Sequence, residues 1–274
     1  MKFIRYTLLF VLSTLLTFCK SESNQEVEQS NEKLTLGAER FEEYLPLLKN
    51  KKVGLVVNHT SLIGKTHLVD TLLSLGVEVS TIYSPEHGFR GTADAGEHLD
   101  DSIDPETGLP LVSLYGDKRK PAVSDLDNVE IVIFDIQDVG VRFYTYISTM
   151  HYVMETCAEI GIPFIVLDRP NPNGMYVDGP IRVDSLRSFV GMHPIPILHG
   201  MTVAEIARMI NGEGWLEDGL KADLTTISML GYDHSTTYSL PVKPSPNLPN
   251  DIAVQLYPSL CFFEGTKMSV GRGT

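Results

Sequence analysis

Glu86, His87 and Arg90 stand within five residues of one another, in the run Ser84-Pro85-Glu86-His87-Gly88-Phe89-Arg90-Gly91. A carboxyl can give or take a proton, an imidazole titrates near neutrality, and a guanidinium can hold an anion. Gly88 and Gly91 let the backbone turn tightly around them. Three further polar clusters share one feature with this one. Asn58-His59-Thr60-Ser61, Asp135-Ile136-Gln137-Asp138 and Asp168-Arg169 each follow a short apolar run. A lone charged turn is ordinary surface, but four such turns behind four apolar runs suggest one site.

Glu86 can act as a general acid if burial or a neighbouring carboxylate raises its pKa. Glycoside cleavage usually needs a second carboxyl as base or nucleophile. Asp135, Asp138 and Asp168 are candidates, and Glu264 a more remote one. Other chemistries fit less well. Glu86, His87, Glu97 and His98 lack any HExxH-like ligand spacing, so no metal site is expected. No Gly-x-Ser-x-Gly elbow is present, and Ser84 before Pro85 is a poor nucleophile. The first strand is not followed by Gly-x-Gly-x-x-Gly, so no dinucleotide cofactor is expected. Gly64-Lys65-Thr66 fails as a phosphate-binding loop because His59 stands where its first glycine belongs.

The elements that must position these groups are legible from periodicity. Residues 53–57, 77–83, 129–134 and 162–167 are continuous apolar runs, as expected of parallel strands covered on both faces. Pro85 ends the second of them, since it cannot donate to a ladder. Helical spacing marks residues 34–50, 66–75 and 143–160. Thr202 and Glu205 form a capping box before a helix over 203–211, and residues 109–115 and 224–229 read as further strands. Alternating strands and helices imply an α/β fold with a doubly wound parallel sheet, which binds ligands beyond the carboxyl ends of its strands. Residues 92–110 form a long acidic loop, and loops of that length are usually functional. Lys243-Pro244-Ser245-Pro246-Asn247-Leu248-Pro249 is a rigid turn.

The 274 residues carry a net charge of −13, which argues against a nucleic-acid partner. Lys2 and Arg5 precede an apolar stretch that is too short to span a bilayer but suits a secretory signal. Cys19 follows in a context similar to a bacterial lipobox, although Phe18 replaces the usual small residue. Residues 20–35 are polar and aperiodic, as a tether would be. An exported, lipid-anchored protein, periplasmic or at the cell surface, is therefore expected. Cys157 falls on an apolar helix stripe and is expected to be packed rather than bridged.

The longest motifs carry a resemblance. Besides the clusters above they include Asp138-Val139-Gly140-Val141-Arg142-Phe143-Tyr144-Thr145-Tyr146, Asp168-Arg169-Pro170-Asn171-Pro172, Asp178-Gly179-Pro180 and His199-Gly200-Met201-Thr202. Pro244-Ser245-Pro246-Asn247 and Glu264-Gly265-Thr266 through Gly271-Arg272-Gly273-Thr274 complete the set. From residue 51 onward the chain resembles the NamZ-type exo-β-N-acetylmuramidases that recycle peptidoglycan. The resemblance implies a Rossmann-like domain over residues 36–200 and a smaller α+β second domain from residue 201. The chain stops at Thr274 without a closing element, so the end of that second domain is expected to be missing. The implied reaction removes N-acetylmuramic acid from the non-reducing end of peptidoglycan fragments, with Glu86 as the acid. Glu86, His87, Asp135 and Asp138 are the candidate catalytic residues. Asn58, His59, Arg90, Arg142, Tyr144, Asp168, Arg169, Asn171, His199, Asn247, Glu264 and Arg272 are the candidate substrate-binding residues. The lactyl carboxylate of the sugar calls for a local cation on an acidic protein. Arg90, Arg142, Arg169 and Arg272 are the choices, each with a structural ion pair as its alternative. A non-catalytic glycan-binding lipoprotein is the competing class.

Overall fold

In the computed structural model, residues 33–86, 88–90 and 101–268 are described. The signal with Cys19, residues 20–32 of the tether, and also His87, Glu97, His98 and Arg272, lie outside them. In chain order the elements are α1 (Phe41–Leu48), β1 (Val53–Val57), β2 (Leu62–Ile63), β3 (Thr66–His67), α2 (Leu68–Ser74), β4 (Val79–Ser84), β5 (Ser102–Ile103), β6 (Pro110–Ser113) and β7 (Ile131–Asp135). They continue with α3 (Tyr146–Ile160), β8 (Phe164–Leu167), β9 (Val177–Asp178), β10 (Leu198–His199), α4 (Val203–Glu213), β11 (Leu224–Ile227) and α5 (Asp251–Leu260).

Seven strands form one sheet in the order β11-β8-β7-β1-β4-β6-β5. The pairings from β11 through to β6 are all parallel, and β5 closes the edge antiparallel to β6. Strand residues alternate between two apolar layers, as a pleated sheet covered on both faces requires. Ile131, Ile133, Ile165 and Leu167 pack with Tyr44 and Leu48 of α1 and Leu68 and Leu72 of α2. Val132, Phe134, Phe164 and Val166 pack with Ile147, Met150 and Met154 of α3 and Ile206 and Ile210 of α4. Cys157 is a free thiol in this second layer, with no exposed surface.

The termini of the helices follow their sequences. Thr202 Oγ1 accepts from the Glu205 amide and Glu205 returns the bond, so α4 starts where the capping box places it. Gly161 and Gly214 close α3 and α4 in the left-handed conformation that only glycine adopts freely. The helix expected over residues 34–50 is shorter than its apolar pattern, because Gly37–Glu39 forms a separate 3-10 turn before α1. Residues beyond 200 supply β11 to the sheet and α4 to one of its faces.

Candidate active site

From β1 the chain steps to β4 and β6 on one side. It then returns to β7, beside β1, and steps to β8 and β11 on the other. The crevice at the ends of β1 and β7 is therefore the switch point of the sheet, where doubly wound proteins bind ligands. Asn58 follows β1, Glu86 follows β4, Asp135 and Asp138 end β7, and Asp168 and Arg169 follow β8. The four clusters do converge on one edge, but they converge in two different states.

On the β7–β8 side the polar groups satisfy one another. Arg169 donates from Nε to Asp135 Oδ1 at 2.6 Å and from Nη2 to Asp135 Oδ2 at 2.8 Å, with both side chains buried. The charge of Asp135 holds the guanidinium above its ordinary pKa against the cost of burial. Asp168 receives the Arg169 and Ala204 amides on Oδ1 and the Thr202 hydroxyl on Oδ2. Desolvation nevertheless pushes its carboxyl up to about 6. Asn171 donates to the Met201 carbonyl and accepts from the Asn173 amide. Its side chain lies where a Cβ at Gly140 would be, and Gly140 has φ +78°, so this turn needs glycine on both counts.

The β1–β4 side is different. Buried Asn58 Nδ2, Ser84 Oγ, Asp138 Oδ1 and His199 Nε2 have no hydrogen-bond partner. Asp138 Oδ2 accepts from the Gly140 amide at 2.7 Å. His199 accepts the Met201 amide on Nδ1 at 3.2 Å, so in the neutral ring the proton sits on Nε2, 3.7 Å from Asp138 Oδ2. Tyr146, the first residue of α3, lies among these groups. Its hydroxyl donates to the Glu86 carbonyl at 3.5 Å. Burial, and to a smaller extent the charges of Glu86 and Asp138, raise its pKa, so it stays a neutral donor. Tyr115, beyond β6, hydrogen-bonds the Glu86 carboxylate, and burial followed by that charge raises the phenol. Glu86 lines a cleft of about 180 Å³ with Tyr144, Tyr146, Val190, Asn247 and Tyr257. A buried polar group without a partner costs roughly 1–3 kcal/mol. Four of them at a switch point, beside an open cleft, mark a place that a ligand or ordered water completes.

The motif residues together with this placement allow a comparison with known proteins. Residues 53–252 match the family model described as exo-β-N-acetylmuramidase NamZ, N-terminal. The chain belongs to the NamZ family. It is 45% identical over 242 residues to the peptidoglycan β-N-acetylmuramidase NamZ of Bacillus subtilis strain 168, across 85% of this chain. It spans 57% of that relative's length. Two crystal structures of DUF1343 family proteins from Bacteroides fragilis NCTC 9343 share the fold. One is 49% identical with a TM-score of 0.81, covering 88% of this chain and 65% of that one. The other is 35% identical with a TM-score of 0.76, covering 85% and 60%.

Within this NamZ chain, several motif residues serve the scaffold around the cleft. His59 bonds the Lys243 carbonyl through Nε2 at 2.9 Å, and desolvation lowers its pKa. Tyr144 donates to the Pro244 carbonyl at 2.8 Å. Together they seat the proline-rich turn that carries Asn247 to the cleft. Three of the candidate arginines already have partners within the protein. Arg169 is committed to Asp135. Arg90 makes a two-pronged pair with Asp104 at 3.1 and 3.0 Å and adds Glu106 at 3.2 Å. Arg142 donates to the Pro180 and Ile195 carbonyls, and burial lowers its pKa. Glu264 sits exposed in the turn Cys261–Gly265, where it accepts from the Cys261 thiol at 3.2 Å. Among the described residues no group of His, Cys, Asp and Glu is placed to hold a metal. Sequence reasoning passed over Tyr115, Tyr146 and Tyr257. Tyr146 stands in the quoted Phe143-Tyr144-Thr145-Tyr146 motif, but nothing in periodicity separates it from the core stripe of α3.

Proposed function

We propose that the chain carries the catalytic part of an exo-acting glycoside hydrolase that releases N-acetylmuramic acid from the non-reducing end of peptidoglycan fragments. The likeness to the Bacillus subtilis muramidase carries this reading, and a carboxylic acid at the mouth of a switch-point cleft is consistent with it. Glu86 is the general acid, donating its proton to the leaving glycosidic oxygen. The Tyr115 hydroxyl holds the Glu86 carboxyl in place. Asp138 is the second carboxyl, as base or as counter-charge to the developing oxocarbenium ion. Asp135 is set aside for that role because Arg169 already neutralises both of its oxygens. Asn58 Nδ2 and Tyr146 are donors for the substrate's hydroxyl and acetamido oxygens. Export and lipidation at Cys19 belong to the same reading, since the substrate lies outside the cytoplasm.

The test uses a chromogenic N-acetylmuramic acid β-glycoside and a natural disaccharide. Loss of a general acid costs on the order of 100- to 10,000-fold. Glu86→Gln should lose that much on the disaccharide and much less on a nitrophenyl glycoside, whose leaving group needs less protonation. Equal losses on both substrates would assign Glu86 a base or nucleophile role. A fully active variant would leave a glycan-binding protein as the better reading. For the anchor, Cys19→Ala should move the protein from the membrane fraction to the soluble one, and unchanged membrane association would refute lipidation.

A further inference from the structure

A second cavity, of about 830 Å³, opens between α3, the segment 182–194 and the turn 214–218. It shares no lining residue with the Glu86 cleft. Tyr152 is six residues along α3 from Tyr146, which places the two cavities roughly 9 Å apart along that helix. The cavity is within the size range of small-molecule sites. Its walls hold an unusual stock of unused hydrogen-bonding capacity. Trp215, the one tryptophan of the chain, lines this cavity partly buried, with part of its ring packed on the core, and its indole N–H has no partner among the described residues. The guanidinium of exposed Arg187 also has no partner among them. Buried Arg182 spends Nη1 on the Val183 carbonyl and Nη2 on Asp184, and leaves Nε without an acceptor.

A run of polar groups, mostly buried, ends at the same wall. Lys120 holds Glu155 at 2.8 Å, and Glu155 faces His151 Nε2 at 3.4 Å. His151 Nδ1 meets His193 Nε2 at 3.1 Å, and His193 Nδ1 is then left without a partner. His193 is 1% exposed, and Trp215 lies against its ring at 5.7 Å. Burial keeps His193 neutral. Glu155, Asp184, Glu217 and Asp218 outnumber Arg182 and Arg187 around the cavity, so a polyanion is not the expected occupant. Planar donors and acceptors of both signs around an aromatic face suit a neutral ligand rich in hydroxyl and amide groups.

We infer that this cavity is a second glycan site, which takes a neutral N-acetylglucosamine-type residue on Trp215 with Arg187, Arg182 and His193 around its polar edge. The inference rests on the reading that the substrate is a peptidoglycan glycan, and it adds a holding site to the cleaving one. A site of this kind keeps a long glycan on the protein between turnovers.

The test is calorimetric titration of the full chain with a β-1,4-linked N-acetylglucosamine tetramer. Arg187→Ala, at an exposed residue, should fold normally and bind about tenfold more weakly, the loss expected for a hydrogen bond to a charged group. Trp215→Ala should abolish binding, and Trp215→Phe should retain part of it. Turnover of the small chromogenic glycoside should stay unchanged in Arg187→Ala. Should the parent chain bind the tetramer in a Trp215-dependent way yet hydrolyse nothing, the cavity assignment stands and the hydrolase reading falls. No binding by the parent, or parental affinity in Arg187→Ala and Trp215→Phe alike, would overturn the assignment.

Discussion

Asp135 and Asp138 are three residues apart at the end of one strand, and they live in opposite circumstances. Asp135 has both oxygens on Arg169, whereas Asp138 has one oxygen on a backbone amide and the other on nothing. The contrast extends to the whole carboxyl edge. Around β7 and β8 it is a closed network, with Asp168 held by three donors and Asn171 locked against Gly140. Around β1 and β4 it is open, with Asn58, Ser84, Asp138 and His199 each keeping an unused atom. One half is a brace and the other is a receptor. A motif of charged residues states only that polar groups reach the edge. Partners arriving from other strands decide which of them stay available.

The largest expected effect breaks the closed half. Arg169→Met leaves Asp135 buried and unpaired, and removal of one partner of a buried ion pair costs about 3–5 kcal/mol. Denaturant melts should show that loss. The double variant Arg169→Met with Asp135→Leu should recover much of it, because no charge is then left stranded. A single-variant loss below 1 kcal/mol would mean that the brace is not holding the edge.

Asp138→Asn sharpens the other side. It removes a charge met only by the Gly140 amide and, at 3.7 Å, by His199 Nε2, so stability should change by less than about 1 kcal/mol. Turnover of the disaccharide should fall on the order of 100- to 1,000-fold. A variant that loses stability and keeps activity would move Asp138 into the brace.

Asp168 gives the closed half a pH signature. Its carboxyl titrates at about 6 in the folded chain and near 4 when unfolded. Between those values the folded state binds more protons, so stability should rise as pH falls from about 6 to about 4. The full gain is up to about 3 kcal/mol. Urea melts at pH 7 and pH 5 should show this in the parent, and Asp168→Asn should flatten it. A parent that is less stable at pH 5 would mean that other groups outweigh Asp168.

The smallest effect is an expected absence of change. Arg90 and Arg142 are spent on Asp104 and on two carbonyls, so Arg90→Ala and Arg142→Ala should shift the preference for substrates with a lactyl group by less than about twofold. A larger shift in either variant would mean that its guanidinium leaves the protein partner when the sugar binds.

Much of this was legible in the sequence. The run Val53–Val57 is found as read, and Thr202 with Glu205 caps α4 where the capping box puts it, because both signals are local. The convergence of four polar clusters followed from the alternation of strands and helices. The division of the edge was not legible. For Arg169 the sequence left open an anion receptor or an ion pair; the pair that forms reaches back 34 residues to Asp135, and Asp168 turns to the first turn of α4. Arg90 likewise pairs with Asp104 inside the acidic loop, which periodicity does not foretell. The cavity at Trp215 was hidden for the same reason, since segments around residues 151, 187, 193 and 215 meet only in three dimensions.

The entry of the chain into the sheet has a temporal meaning. Thr35 bridges Leu230, the Gly37 amide donates to the Asp168 carbonyl, and Arg40 Nη1 reaches the Ser228 carbonyl at 2.8 Å. A Cβ on Gly37 would collide with the backbone of Ile227 and Asp168, so this strap is seated in a slot only those later residues make. A chain that crosses a membrane with its amino end leading would present residues 35–40 almost two hundred residues before their slot exists. Contacts of such long sequence separation form late. In such a chain this strap would close only once β11 has followed it, and it would stay within reach of chaperones and proteases until then.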